Sequence, residues 1–162
     1  AASDVYKRQY VAMLTQPFEL NLPSTILNKE YTLQPDKAKA KDGYLVFTLP
    51  AERGSLANSQ YVRYNSRRTS NLLLPGAADE TFTYLAETPE GMRLATPAME
   101  KKIDNAVGTL IISILPEGGQ TRVVRSLKLK KQMIRPADYA AFRQLMIEYG
   151  AVDGRTLVYK SK

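Results

Sequence analysis

The side chains in this chain that could do chemistry are few, and their types narrow what it could be. Cys, His and Trp are absent from its 162 residues. Without Cys there is no thiolate nucleophile, no thiolate metal site and no disulfide framework. Without His the commonest general base and the commonest zinc ligand are missing. Carboxylates and cations remain. Glu80 with Glu87, or Glu87 with Glu90, are the pairs in which a two-carboxylate glycoside hydrolase would be sought, the separation of the two groups setting the stereochemical outcome. Sequence spacing does not fix that distance, and acidic side chains near turns are ordinary solvated groups, so no catalytic residue is assigned. Asp36, Asp42, Asp79 and Glu80 are too scattered for a calcium loop. Pro116-Glu117-Gly118-Gly119 is followed by neither the Lys-Ser/Thr nor the helix of a phosphate loop. Asn65-Ser66-Arg67 misses the glycosylation pattern. No cofactor and no metal are expected.

The cations offer the other candidate chemistry. Residues 1–120 hold 13 Lys and Arg against 13 Asp and Glu, whereas residues 121–162 hold 10 against 3 and so carry the whole net charge of +7. Such an excess could attract a polyanion, and Arg122, Lys128 and Lys130 are the candidate contacts. The competing reading is structural. In Thr121–Met133 the odd positions include Val123, Leu127 and Leu129, and the even ones include Arg122, Ser126, Lys128, Lys130 and Gln132. That alternation describes a half-buried antiparallel strand with one wet face. Lys on such a strand also discourages edge-to-edge pairing. The solvated-face reading is the favoured one, and nucleic acid is not expected as a partner.

The elements that must position these groups read mostly as strands. With 44% hydrophobic and 24% charged residues, 10 Tyr and 4 Phe, the composition is globular and large enough for a substantial core. Val11–Leu22, interrupted by Pro17, reads as a strand and its connection, and Leu27–Leu33 as a strand. Gln34–Gly43 is polar, Lys-rich and ends in an Asp-Gly signal, so it reads as a loop. Tyr44–Leu49 reads as a buried strand and Ala51–Ser59 as irregular. Gln60–Tyr64 is a short aromatic strand, and Asn71–Leu74 runs into a Pro75-Gly76 turn. Thr81–Glu87 has high β propensity, with Phe82, Tyr84 and Ala86 on one face. After a Pro89-Glu90-Gly91 turn come a brief extended Met92–Ala95, a strand over Ala98–Asp104 and a loop from Asn105 to Gly108. Thr109–Leu115 is the strongest strand, turned back by Pro116 to Gly119.

One helix is expected, over about residues 136–149. Pro136 suits the first helical position, and Asp138 complements the helix dipole in the first turn. Tyr139, Phe142, Leu145, Met146 and Tyr149 form an apolar stripe to pack on a sheet, and Gly150 suits a left-handed stop. Arg155–Lys160 reads as a final strand closing a sheet edge. Short strands with turn signals every eight to twelve residues predict a mainly β chain, an antiparallel β-sandwich with one short C-terminal helix and a final strand. No run of about eighteen apolar residues is present to span a membrane as a helix. The segment Ala1–Gln9 lacks a starting Met and signal-peptide character. It resembles a translated adapter of the kind found at the ends of metagenomic fragments, so native sequence is expected to begin near Tyr10. Residues 10–42 then supply leading strands and a polar loop, and residues 43–162 the sandwich.

Several of these marks occur together in a known family. Gly43-Tyr44 through Leu49-Pro50, an Arg at Arg67 or Arg68, Leu74-Pro75, Glu80, Pro89-Glu90-Gly91, Asn105 to Gly108 and the unit from Arg125 to Met146 carry the likeness. Together they resemble the C-terminal β-sandwich, a domain of unknown function, of exported transglutaminase-like and cysteine-protease-like proteins of Bacteroides-type bacteria. The resemblance covers about Gly43 to Lys160, and its motifs are structural punctuation, not catalytic signatures. The family's core chemistry needs a Cys activated by His, and this chain has neither. The resemblance therefore implies a non-catalytic accessory or interaction domain whose partners are upstream domains of the same polypeptide. It implies a periplasmic or cell-envelope setting. The alternative is a carbohydrate- or cell-envelope-binding sandwich with an exposed tyrosine shelf, for which Tyr61 or Tyr64 with a neighbour is the candidate.

Overall fold

A computed structural model describes residues 10–13, 28–31, 39–50, 55–56, 67–74 and 78–162. The chain forms two compact units, Ala1–Lys37 and Ala38–Lys162. In the first, β1 (Tyr10–Met13) and β2 (Asn28–Tyr31) pair antiparallel, Tyr10 opposite Tyr31. The rest of the strands expected over Val11–Leu22 and Leu27–Leu33, the aromatic strand Gln60–Tyr64, most of Ala51–Ser59 and the Pro75-Gly76 turn lie outside the described residues.

The second unit holds two four-stranded antiparallel sheets. The first is built on a long hairpin, β9 (Gly108–Glu117) and β10 (Gln120–Leu129), flanked by β6 (Asp79–Glu87) and β8 (Met99–Asp104) in the order β6-β10-β9-β8. The hairpin turn is shorter than its Pro-Glu-Gly-Gly signal. Pro116 and Glu117 are strand residues, opposite Thr121 and Gln120, and only Gly118 and Gly119 turn the chain. Both have positive φ, 56° and 86°, the primed two-residue turn whose twist matches its strands. The basic strand is β10. Its odd positions, from Thr121 to Leu129, are all buried, as the alternation requires. It lies between β6 and β9, however, so its Lys128 does not guard an edge.

The second sheet runs β3 (Lys39–Lys41), β4 (Tyr44–Thr48), β12 (Thr156–Ser161) and β7 (Met92–Leu94), in the order β3-β4-β12-β7. Three expectations change here. Lys39–Lys41 is a strand and not part of a loop, because Asp42 and Gly43, at φ 51° and 77°, make a tight primed turn onto β4. β4 is half-buried: Leu45 and Phe47 point inward while Tyr44 and Val46 are exposed. The final strand β12 pairs with β4 on one side and β7 on the other, so it is an interior strand, not an edge. The Pro89 to Gly91 turn forms as expected, with Met92 N donating to Pro89 O at 3.0 Å.

A single face of the first sheet supports both the second sheet and the helix. At the turn end of the hairpin, Ile114 and Val123 pack with Leu49, Leu157 and Tyr159, joined by Phe47, Tyr84 and Leu94. This is the sandwich interior, with the two sheets face to face. At the other end of the same face, Leu110, Ile112, Leu127 and Leu129 pack under the helix α1 (Tyr139–Gly150). Its buried residues are Tyr139, Phe142, Leu145, Met146 and Tyr149, the stripe expected from sequence. Each such side chain contributes roughly 1.5–3 kcal/mol by leaving water. Pro136 opens a 3-10 turn over Pro136–Asp138 that leads into α1. Gly150 is not a left-handed stop. It is the last helical residue and is absent from the positive-φ positions, and the chain leaves through an extended Ala151. A short pair, β5 (Leu72–Leu73) with β11 (Met133–Ile134), adds Leu72 and Ile134 to the helix-side core.

Candidate functional site

The helix and the second sheet cover the same face of the hairpin, so a seam separates them, and one charged residue fills it. Arg125 sits on β10 opposite Ile112 on β9 and Phe82 on β6, with 1% of its surface exposed. The last carbonyls of a helix have no intrahelical donor, and a planar guanidinium offers several N–H groups in a fixed fork. Arg125 Nη2 donates to Tyr149 O in the last turn of α1. Its Nη1 donates to Gly154 O at 3.1 Å, in the 3-10 turn leading into β12. The guanidinium carbon also lies 5.0 Å from the centroid of the Tyr149 ring. One side chain thus ties the hairpin, the helix end and the connection to the last strand. Gly154 leaves the space for it: a Cβ there would meet Arg125 Nη1 at 2.8 Å and Ile112 at 3.1 Å.

Glu80 continues the polar seam. It occupies an inward position on β6, and its Oε1 accepts from Ser55 Oγ at 2.6 Å while both its oxygens lie 3.3 Å from Leu56 N. Ser55 Oγ is 3.4 Å from the Tyr149 hydroxyl. A serine beside a carboxylate invites comparison with a nucleophile and base, but Ser55 is 3% exposed. Glu80 is engaged in holding the Ser55 hydroxyl and the Leu56 N–H, so the arrangement fastens Ser55-Leu56 to the sheet. The burial of Arg125 has a signal in the sequence. Residue 125 is odd-numbered, and on β10 the odd positions face in.

The Glu80–Glu87 pair does not assemble. Glu80 and Glu87 have opposite parity on one strand, inward and exposed respectively. Seven residues of strand also separate them by roughly 23 Å, far beyond the 10 Å or less that glycoside hydrolysis needs. Glu87 and Glu90 are both exposed around the turn into β7. Among the described residues no group of three or more Asp, Glu, His or Cys could hold a metal ion. Tyr61 and Tyr64, the candidate sugar shelf, lie outside the described residues.

The three candidate polyanion contacts all belong to the first sheet or its margin. Arg122 is exposed between Leu85 and Leu115 in the cross-strand register. Lys128 Nζ pairs with Asp79 at 2.8 Å, and hydrogen bonding to that carboxylate raises the lysine's pKa. Lys130 Nζ pairs with Asp104 at 2.6 Å and donates to Asn105 O at 3.1 Å. That contact, with help from the Thr109 hydroxyl, holds the Asp104 carboxyl below its usual range. Lys128 and Lys130 are thus each answered by a carboxylate, and Arg122 stands six residues up the strand, roughly 20 Å away. The three are not gathered at one point of the surface.

Comparison with known proteins adds two findings. A family model described as a Domain of Unknown Function with solved structure (DUF3858) matches residues 44–159. A crystal structure of a protein from Parabacteroides distasonis, described as a "putative protease", superposes with a TM-score of 0.69 at 34% sequence identity. That match covers 75% of this chain and 24% of the longer protein. No curated protein matches. None of the described helices is long and apolar enough to cross a membrane.

Proposed function

Since the chain belongs to the DUF3858 family, we propose that it is the non-catalytic accessory domain of a larger transglutaminase-like or cysteine-protease-like protein. In this reading it lies C-terminal to the catalytic domain, packs against or positions it, and acts in the periplasm or cell envelope. One observation carries the reading. The chain aligns over 75% of its length with only 24% of a protein described as a "putative protease", yet it contains neither Cys nor His. A papain-like or transglutaminase triad has no residue to occupy here. The polar seam supports the same reading, because its serine and carboxylate are consumed in fastening elements together.

The test compares the chain alone with its complete reading frame. The chain alone is expected to show no amide hydrolysis and no acyl transfer, and the complete frame to contain a Cys-His domain whose activity or stability falls when residues 44–159 are deleted. Activity in the isolated chain, or a frame without such a domain, would overturn the proposal.

A further inference from the structure

The sequence places the positive charge near the C-terminus, but the fold redistributes it. Across the four strands of the first sheet, five cations meet six carboxylates, so that sheet is close to neutral. The four strands of the second sheet carry Lys39, Lys41, Arg93 and Lys160 and no carboxylate at all. Parity sorts the described side chains of this sheet. Leu45, Phe47, Met92, Leu94, Leu157 and Tyr159 join the sandwich core, which leaves Tyr44, Arg93 and Lys160 on the opposite face.

These three form one row. Tyr44 on β4 is opposite Lys160 on β12, and Lys160 is opposite Arg93 on β7. The backbone of β3 sets Lys41 at the next register position, beside Tyr44. Directly opposed side chains on neighbouring strands lie about 4.5–5.5 Å apart at Cβ, and like charges so placed oppose folding. Lys101, Lys128, Lys130 and Lys131 each have a carboxylate partner, while neither Arg93 nor Lys160 forms an ion pair among the described residues. Two cations held side by side with no carboxylate partner among the described residues break a local rule of sheet stability, and such breaks are expected at functional sites. Beside them Tyr44 is 48% exposed, the one aromatic among the exposed large hydrophobic residues described.

We propose that this face of the second sheet, centred on Tyr44, Lys160 and Arg93, binds a carboxylate-bearing glycan. An arginine fork takes a carboxylate in two parallel hydrogen bonds, Lys160 adds a second charge, and the Tyr44 ring offers a flat surface to the C–H face of a sugar. In the neighbouring row Val46 lies opposite Val158, with the backbone of β3 setting Lys39 beside Val46, and the next row is Thr48 opposite Thr156. Aliphatic and hydroxyl surfaces suit a sugar chain. Single-stranded nucleic acid would call for successive aromatic platforms, and an extended peptide would pair with the backbone of an edge strand, whereas the row of Tyr44, Lys160 and Arg93 runs across the face of three strands, with Lys160 on an interior one. The proposal stands apart from the accessory-domain reading and neither requires the other.

The experiment titrates the 162-residue chain with oligogalacturonate by calorimetry at low and physiological salt. A neutral oligosaccharide and an oligothymidylate serve as comparators. Oligogalacturonate is expected to bind, more weakly as salt rises, and Arg93→Gln with Lys160→Gln to weaken it by about tenfold or more. Tyr44→Ala is expected to weaken it as well, and Lys128→Gln with Lys130→Gln to leave it unchanged. Thermal unfolding provides a control for folding: Arg93→Gln is expected to keep or raise the melting temperature, since it removes a like-charge opposition. No binding of oligogalacturonate, binding indifferent to the Arg93/Lys160 pair, or tighter binding of either comparator would each overturn the proposal.

Discussion

Arg125 shows how one residue can organise the junction of three elements. A buried ion costs several kcal/mol in desolvation and is retained only when its hydrogen bonds are made, and here they go to carbonyls that the helix and the following turn present to it. Arg125→Ala deprives both carbonyls of this donor and opens a cavity, so we expect it to cost about 2–4 kcal/mol in urea unfolding. Arg125→Lys should recover only part of that, because an ammonium cannot reproduce the fork. Full recovery would show that charge, and not geometry, matters at the seam. Asp104 is a surface counterpart with a pH signature. Its carboxyl titrates lower in the folded chain than the usual value, through Lys130 and Thr109. A depressed folded pKa gives a contribution present above the unfolded value of about 3.9 and lost as pH falls through the folded one. Asp104→Asn should therefore be less stable than the parent at pH 7, and the gap in melting temperature should close in strong acid. A gap constant with pH would remove Asp104 as its source.

At the scale of elements, glycines separate two physical costs. Gly118 and Gly119 have positive φ and nothing within 4 Å of an added Cβ, so substitution there tests backbone conformation alone. Gly118→Val should cost about 1–2 kcal/mol, and Gly118→Asn, which tolerates that region, much less. Gly108 is the reverse case. Its φ is ordinary, but a Cβ would lie 2.5 Å from Lys128 O. Gly108→Ala should therefore destabilise by steric conflict, about 1–3 kcal/mol, with no rescue by Asn. Equal losses for Val and Asn at position 118 in equilibrium unfolding would contradict the backbone account. The same contrast explains what sequence could reveal. The helix stripe from Tyr139 to Tyr149 and the alternation of β10 were legible because periodicity reports which face is buried. The turn limits at Pro116 and the strand at Lys39–Lys41 were not, since a Lys-rich run becomes a strand only when a partner such as β4 is present to pair with it. Arg125 was obscured by its type: residue charge suggests solvent, while only its position in the alternation suggests burial. The row of Tyr44, Lys160 and Arg93 was beyond reach, because it joins residues up to 116 positions apart through a register that only the folded sheet defines.

For the molecule as a whole, the order of strands decides which part of the chain can stand alone. The unit Ala38–Lys162 includes β3 and β4, and β4 covers one side of β12 while β7 covers the other. The core residues Leu157 and Tyr159 on β12 face Ile114 and Val123 across the sandwich and pack with Leu45, Phe47 and Leu49 from the β4 segment. A chain beginning at Ala38 therefore keeps every element of both sheets, and we expect it to unfold in one cooperative transition by heat or urea. A chain beginning at Leu49 loses β3 and β4. That uncovers an edge of β12, leaves its backbone N–H and C=O groups unpaired on that side, and strips Leu45 and Phe47 from the core. It should fail to give a cooperative transition, while the helix-side cluster around Phe142 and Leu145, which rests on the other end of the hairpin, should keep the slower hydrogen exchange of the two. Equal protection at both ends of the hairpin in that shortened chain would mean that the sandwich interior does not depend on β4, contrary to the packing from which the prediction is drawn.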